Sequence, residues 1–205
     1  MKITKLEHSG VILEKDGKVL IFDPVEILAK IPEVSGVAAI IITHGHFDHL
    51  QPEVVERILA GNPEARVFTT GDTADKIRGA EVVKNGDKLE VGGFRLEFFG
   101  GEHMPIFDKV PCQNVGVVVD DYFLNPGDSL DFVPGKNVGV LFCPIVAPWC
   151  KLLDSVEFIK KYMPKIVMPV HDALLSEFGK GVYERNVAMQ CEEMGVGFEE
   201  KQIVE

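Results

Sequence analysis

The chain has 205 residues, a formal net charge of −11 and a hydrophobic content of 46 %. This length suits one domain, or two closely packed halves, with enough chain for a substantial core. The charge weighs against a nucleic-acid binder that neutralises phosphates and against docking on an anionic membrane surface, and no apolar stretch is long enough for a membrane span.

Met1 to Glu7 is broken by Lys, Glu and lacks the apolar core of a signal peptide. Lys2 to Glu7, Val11 to Glu14 and Val19 to Phe22 read as strands, with Asp16-Gly17 as a hairpin turn. The β-branched run Val37-Ala38-Ala39-Ile40-Ile41-Ile42 predicts a buried strand over 37–43. A helix follows, with Pro52 in its first turn, Val54, Val55, Ile58 and Leu59 on one face and Gly61 at its end. Arg66 to Thr69 predicts a strand, and Thr73 to Ile77 a short helix. In the second half, strands are expected at Asp87–Val91 and Phe94–Phe99 around Gly92-Gly93, and at Val115–Val119 and Tyr122–Leu124 around Asp120-Asp121. Val138–Phe142 is a further strand, followed by a Pro-containing loop and a helix over Asp154–Tyr162. Ile166–Val170 predicts a buried strand ending at His171, and Leu174–Met194 a helix interrupted by Gly179 and Gly181. The repeated rhythm, strand-rich then helical, predicts two sheets flanked by helices. Cys112, Cys143, Cys150 and Cys191 form no C-x-x-C pair and fit reduced thiols in a cytoplasmic protein.

The densest chemistry lies in Thr43-His44-Gly45-His46-Phe47-Asp48-His49, directly after a predicted strand. Zinc favours imidazole nitrogen and carboxylate oxygen, takes about four ligands, and at a catalytic site leaves one position for water. Gly45 gives the backbone freedom for His44 and His46 to face one ion. Asp48 and His49 would face a neighbouring point. One ion cannot readily take all four groups from so short a loop, whereas two adjacent ions can.

These residues resemble the metallo-β-lactamase-fold superfamily, whose His-x-His-x-Asp-His motif stands complete as His44-Gly45-His46-Phe47-Asp48-His49. The resemblance spans nearly the whole chain. It implies one α+β domain over 1–205, built as a four-layered αββα sandwich. Three further ligand segments follow in family order: Gly100-Gly101-Glu102-His103, Asn125-Pro126-Gly127-Asp128-Ser129 and Pro169-Val170-His171-Asp172. The resemblance implies one metal site from His44, His46 and His103, a second from Asp48, His49 and His171, and Asp128 bridging them. It is nearest the lactonase-like branch, which includes proteins similar to ascorbate-6-phosphate lactonase. The implied activity is hydrolysis of a small ester, lactone, amide or phosphodiester by metal-bound hydroxide. Asp48 would serve both as ligand and as acceptor of a hydrogen bond from the attacking water. The implied cofactors are two divalent ions, zinc first, with manganese, iron and nickel as the other candidates. A small molecule is the expected partner, and an anionic one would be drawn to a net positive centre. The alternative is a non-hydrolytic iron-dependent redox protein of the same fold. Such proteins typically place a carboxylate at the position of His46.

Other positions carry two readings each. Asp23, in Ile21-Phe22-Asp23-Pro24, matches the superfamily's strand-end aspartate and is expected to orient a ligating histidine rather than merely cap the strand. His8 is either a turn histidine or a residue of the metal pocket. Trp149 either lines the pocket or covers the core. Asp172 is expected to cap the helical segment 173–178.

Overall fold

The β-branched and aromatic runs become extended strands, and the amphipathic segments become helices that cover the strands' outer faces. The computed structural model describes residues 1–107, 111–131 and 138–204. One seven-stranded sheet has the order β14-β1-β2-β3-β4-β5-β6. Its members are β1 (Lys2–Lys5), β2 (Val11–Lys15), β3 (Lys18–Phe22), β4 (Val37–Ile41), β5 (Arg66–Thr69), β6 (Glu81–Val82) and β14 (Gln202–Val204). The second sheet has the order β13-β12-β11-β10-β9-β8-β7. It comprises β7 (Lys88–Val91), β8 (Phe94–Phe99), β9 (Gly116–Val119), β10 (Phe123–Asn125), β11 (Val140–Pro144), β12 (Ile166–Val170) and β13 (Gly197–Phe198). In each sheet the early strands pair antiparallel and the following ones parallel, except that β14 returns antiparallel to β1.

Three apolar layers separate four structural layers. Between the sheets, Leu13, Leu20, Phe22 and Ile41 meet Phe98, Phe123 and Phe142. The Phe22 and Phe123 rings lie 5.8 Å apart across this core. The period-two alternation of β3 sends Leu20 and Phe22 inward and Val19 and Ile21 outward. On the first sheet's outer face, Ile21 and Ile40 pack on Val54, Val55 and Ile58 of α1 (Pro52–Gly61). On the second sheet's outer face, Leu141 and Val167 pack on α2 (Leu152–Tyr162) through Phe158 and Ile159, and on α3 (Glu177–Glu193) through Val187 and Cys191. The αββα expectation is met. Among the described residues, no helix is long and apolar enough to cross a membrane.

The departures from the sequence reading are local. β4 ends at Ile41, two residues early, and Thr43 leaves the ladder to bond Asp23. α2 begins at Leu152, two residues before the expected start. Gly179 and Gly181 do not interrupt α3, because they fall in its first turns, where Ser176 accepts the Gly179 N–H at 3.2 Å. β6, β13 and β14 were not expected.

The connections that leave the strand ends matter most. β1, β3, β4, β8, β10, β11 and β12 are followed by the segments carrying His8, Asp23, His44, His103, Asp128, Trp149 and His171. Rigid elements of both sheets thus deliver the candidate residues to one place.

Candidate metal centre

Thr43 anchors the histidine loop. Its N–H and hydroxyl donate to the two oxygens of Asp23, each at 2.7 Å, and its carbonyl accepts from Val115 N at 2.9 Å. The His49 and Leu50 N–H groups both donate to the His46 carbonyl, at 3.0 and 2.8 Å, closing a single turn that aims His49 inward. Gly45 is required by close approach: a Cβ there would stand 2.6 Å from Lys76 Nζ and 2.8 Å from Thr73 Oγ1. His103 is held by its N–H on the Cys112 carbonyl, 2.9 Å away, and Met104 N donates to the Asp128 carbonyl at 2.8 Å. Asp128 follows Gly127, whose φ is +58° and whose Cβ would meet Asn114 Oδ1 at 2.3 Å. The same Asn114 oxygen accepts from Asp128 N at 2.9 Å.

The candidate ligand atoms converge. Those of His44, His46 and His103 lie within 4.8 Å of one another, and so do those of His44, His49 and Asp128. His171 joins through Nε2, 2.8 Å from Asp128 Oδ1 and 3.1 Å from His49 Nε2. His49 Nε2 is 3.2 Å and His103 Nε2 3.1 Å from the Asp128 carboxylate. Five of the seven residues expected as ligands, all histidines, therefore gather around the carboxylate of a sixth, Asp128. Asp48 is adjacent but belongs to none of these groups; its Oδ2 faces His8 Nε2 at 3.1 Å. His44, His49, His103, Asp128 and His171 are each at most 3 % exposed.

The donor set fits a cation. A neutral imidazole carries one N–H and one lone pair, and an outer hydrogen bond fixes which nitrogen is which. His49 Nδ1 donates to Asp23 Oδ2 at 2.8 Å, His44 Nδ1 pairs with the Thr43 hydroxyl at 3.1 Å, and His103 Nδ1 donates to the Met104 carbonyl. In the neutral form of each of these rings Nε2 is left as a lone pair pointing inward. His46 turns the other way, with Nδ1 3.1 Å from His44 Nε2 and Nε2 3.6 Å from Cys112 Sγ. In the His44–His46 and His49–His171 pairs nitrogen faces nitrogen at 3.1 Å, where two lone pairs would repel unless an N–H proton or a cation stands between them.

Electrostatics follow the same geometry. Burial, and then the field of His49, push the His44 pKa well below the ordinary value. Burial also disfavours a charged His49, but Asp128 and Asp23 on either side overcome it and raise that pKa well above normal. For Asp128, burial acts to raise the pKa, and His171 and His49 more than reverse it. Asp48 behaves alike: burial raises, while the His8 hydrogen bond and the His49 and His171 fields bring it to about 2.

The open positions now resolve. Asp23 touches His49 as expected. Trp149 lines the site, with Nε1 donating to Asp128 Oδ2 at 3.0 Å and its ring edge-on to His103 and His171. His8 is fully buried against Asp48 and His171. Asp172 is a correction: it does not cap the following helix, a role taken by Ser176. Its carboxylate instead accepts from Lys5 and Lys180, each at 2.7 Å. With Lys5 and Asp172 side chains both 5 % exposed, an ion pair satisfies a charge that capping would leave half-solvated. Cys112 was read only as a reduced thiol, and it stands beside His46. No local pattern marks it, because the contact spans distant loops.

The profile of the Beta-lactamase superfamily domain (Lactamase_B_3) matches residues 2–171. The chain belongs to that superfamily. Among superfamily relatives, it is 31 % identical over 190 residues to protein Rv0786c of Mycobacterium tuberculosis, covering 89 % of each chain. It is 37 % identical over 145 residues to a UPF0173 metal-dependent hydrolase of Aeropyrum pernix, covering 68 % of this chain and 52 % of that one. The fold matches Igni18, a metallo hydrolase of Ignicoccus hospitalis, with a TM-score of 0.72, 18 % identity and coverage of 97 % and 94 % of the two chains. It also matches CmlA, a diiron β-hydroxylase of Streptomyces venezuelae, with a TM-score of 0.70, 16 % identity and coverage of 98 % of this chain and 53 % of that one.

Proposed function

We propose that this Beta-lactamase superfamily member is a dinuclear metal-dependent hydrolase acting on a small ester, lactone, amide or phosphodiester. The observation that carries the reading is the ring of inward-facing imidazole nitrogens around the buried Asp128 carboxylate. His44, His46 and His103 would hold one ion; Asp48, His49 and His171 the other; Asp128 would lie between them. Two zinc ions suit the nitrogen and oxygen donors best, with manganese, iron or nickel as substitutes. When bound, such a pair lowers the pKa of water and polarises a carbonyl or phosphoryl group.

The chain's own residues do the rest. Asp23 fixes the tautomer of His49, and Trp149 N–H fixes one oxygen of Asp128. Asp48 would accept a hydrogen bond, and then a proton, from the attacking water. His46 and His103 open onto a cavity of about 160 Å³ lined by Met104, Ile106, Phe107, Pro111 and Cys112. That wall suits a compact substrate with an apolar substituent beside its scissile group.

The similarity to a UPF0173 metal-dependent hydrolase supports hydrolysis. CmlA shows that the fold also hosts diiron oxidation. Histidine at position 46, where redox members of the fold typically carry a carboxylate, favours hydrolysis. The test is a panel of lactones, thioesters, phosphodiesters and β-lactams against metal-reconstituted protein, with metal content measured on the same sample. Turnover of at least one class is expected. If the fully metallated protein hydrolyses none of them, the redox reading replaces this one.

A further inference from the structure

The proposed ligand sets use five of the six histidines and leave His8 aside. His8 is 0 % exposed and its φ is 54°, in the left-handed region that a histidine rarely adopts. Buried strain of this kind persists where surrounding contacts over-determine it. Three contacts do so. His8 Nε2 is 3.1 Å from Asp48 Oδ2. Its ring stacks on that of His171, with centroids 4.4 Å apart and planes at 26°. Its carbonyl accepts from His171 N at 3.2 Å. The neighbouring Ser9 hydroxyl donates to the Asp48 carbonyl at 2.6 Å. Residues 8 and 9 thus grip both Asp48 and His171, which arrive from different sheets.

The nearest nitrogens of His8, His49 and His171 lie within 4.8 Å, so His8 must first be weighed as a ligand itself. Ring orientation decides against it. An imidazole lone pair lies in the ring plane, and two nearly parallel stacked rings send their lone pairs side by side rather than to one point. Hydrogen bonding decides in favour of another role. An ionised carboxylate only accepts, so the His8 nitrogen facing Asp48 must carry the proton. Nδ1 is then a bare acceptor, and it is buried with no hydrogen-bond partner among the described residues. A tautomer that leaves Nδ1 unpaired is retained because Nε2–H is committed to Asp48.

We propose that His8 is a positioning residue: its Nε2–H occupies Oδ2 of Asp48 and leaves Oδ1 as the oxygen available to a second ion. This inference rests on the dinuclear reading given above. The experiment is stepwise Zn(II) and Co(II) titration of wild type, His8→Phe and His8→Gln against a competing chelator, with Co(II) visible spectra. Phe keeps the stack on His171 and removes the donor; Gln removes the ring and restores an N–H at similar reach. For His8→Phe, the first ion should bind as in wild type. The second should bind about 10–100-fold more weakly, with an altered Co(II) spectrum. His8→Gln should recover most of that loss. On any substrate found, kcat should fall in His8→Phe with KM little changed. Wild-type affinity for both ions in His8→Phe overturns the inference alone, and so does equal weakening in Phe and Gln. A wild type that takes up fewer than two ions overturns the dinuclear reading and this inference together. Circular dichroism monitors folding; should His8→Phe not fold, His8→Ala is compared with His8→Gln by the same readouts.

Discussion

Asp23 accepts three hydrogen bonds, from Thr43 N, Thr43 Oγ1 and His49 Nδ1. Removing the carboxylate strands all three donors in a buried site. Asp23→Ala should therefore lower stability by about 3–5 kcal/mol, read by urea denaturation, and weaken ion binding as well. A loss below about 1 kcal/mol would mean water replaces the carboxylate there. Asp48 should behave in the opposite sense. It is partly exposed and among the described residues its carboxylate has one side-chain hydrogen-bond partner, His8, so Asp48→Asn should fold normally. Its hydrolytic rate should fall by about 10²–10⁴-fold, the usual size of a general-base contribution. Circular dichroism, metal analysis and kinetics on one sample check this, and a wild-type rate with both ions bound would refute it. Sequence makes some of these roles readable and hides others. The run 44–49 is legible because its ligands share one loop. Asp23 is legible because it closes an apolar strand. The Asp48–His8 pair, 40 residues apart, and the Lys5–Asp172 pair, 167 apart, are settled only by tertiary packing.

At the scale of elements, apolar runs of four or more residues were readable, as was three-residue β10 across the Asp120-Asp121 turn, whereas β6, β13 and β14 were not. β6 and β13 have two residues each and β14 has three, too few for any period to show. They exist because a neighbouring strand offers an open edge; β14 pairs with β1 from Lys2↔Val204 to Thr4↔Gln202. The glycines of α3 were misjudged for a related reason: their penalty depends on position within the helix. The inter-sheet core offers a direct test. Phe123 is fully buried between Phe22 and Phe142. Phe123→Ala should cost about 3–5 kcal/mol, because a cavity between two sheets cannot collapse easily. A loss under about 1 kcal/mol in chemical denaturation would show that the sheets close on the gap. Gly127→Ala should disturb the element that carries Asp128, by left-handed backbone strain and by collision with Asn114. Its expected signature is weaker ion binding together with a lower melting temperature.

For the molecule as a whole, the candidate centre joins the two sheets at one edge. An ion held there binds the folded state and not the unfolded chain. At about 100 times its Kd, each ion should add about 2.7 kcal/mol. That corresponds to about 5–10 °C in melting temperature for a chain of this size, reversed by a chelator. No change in melting temperature on chelation of metal-loaded protein would contradict the placement of the ions between the sheets. The backbone adds a further consequence. Among the described residues, seven that are not glycine have positive φ, and His8, Asp23 and His171 are three of them. We expect sheet packing to hold those torsions before an ion arrives. The cavity should then be rigid before loading, with little rotational freedom left to surrender. Calorimetry of metal uptake should accordingly show a near-zero heat-capacity change, and amide exchange around β1, β4 and β12 should already be slow in the ion-free protein.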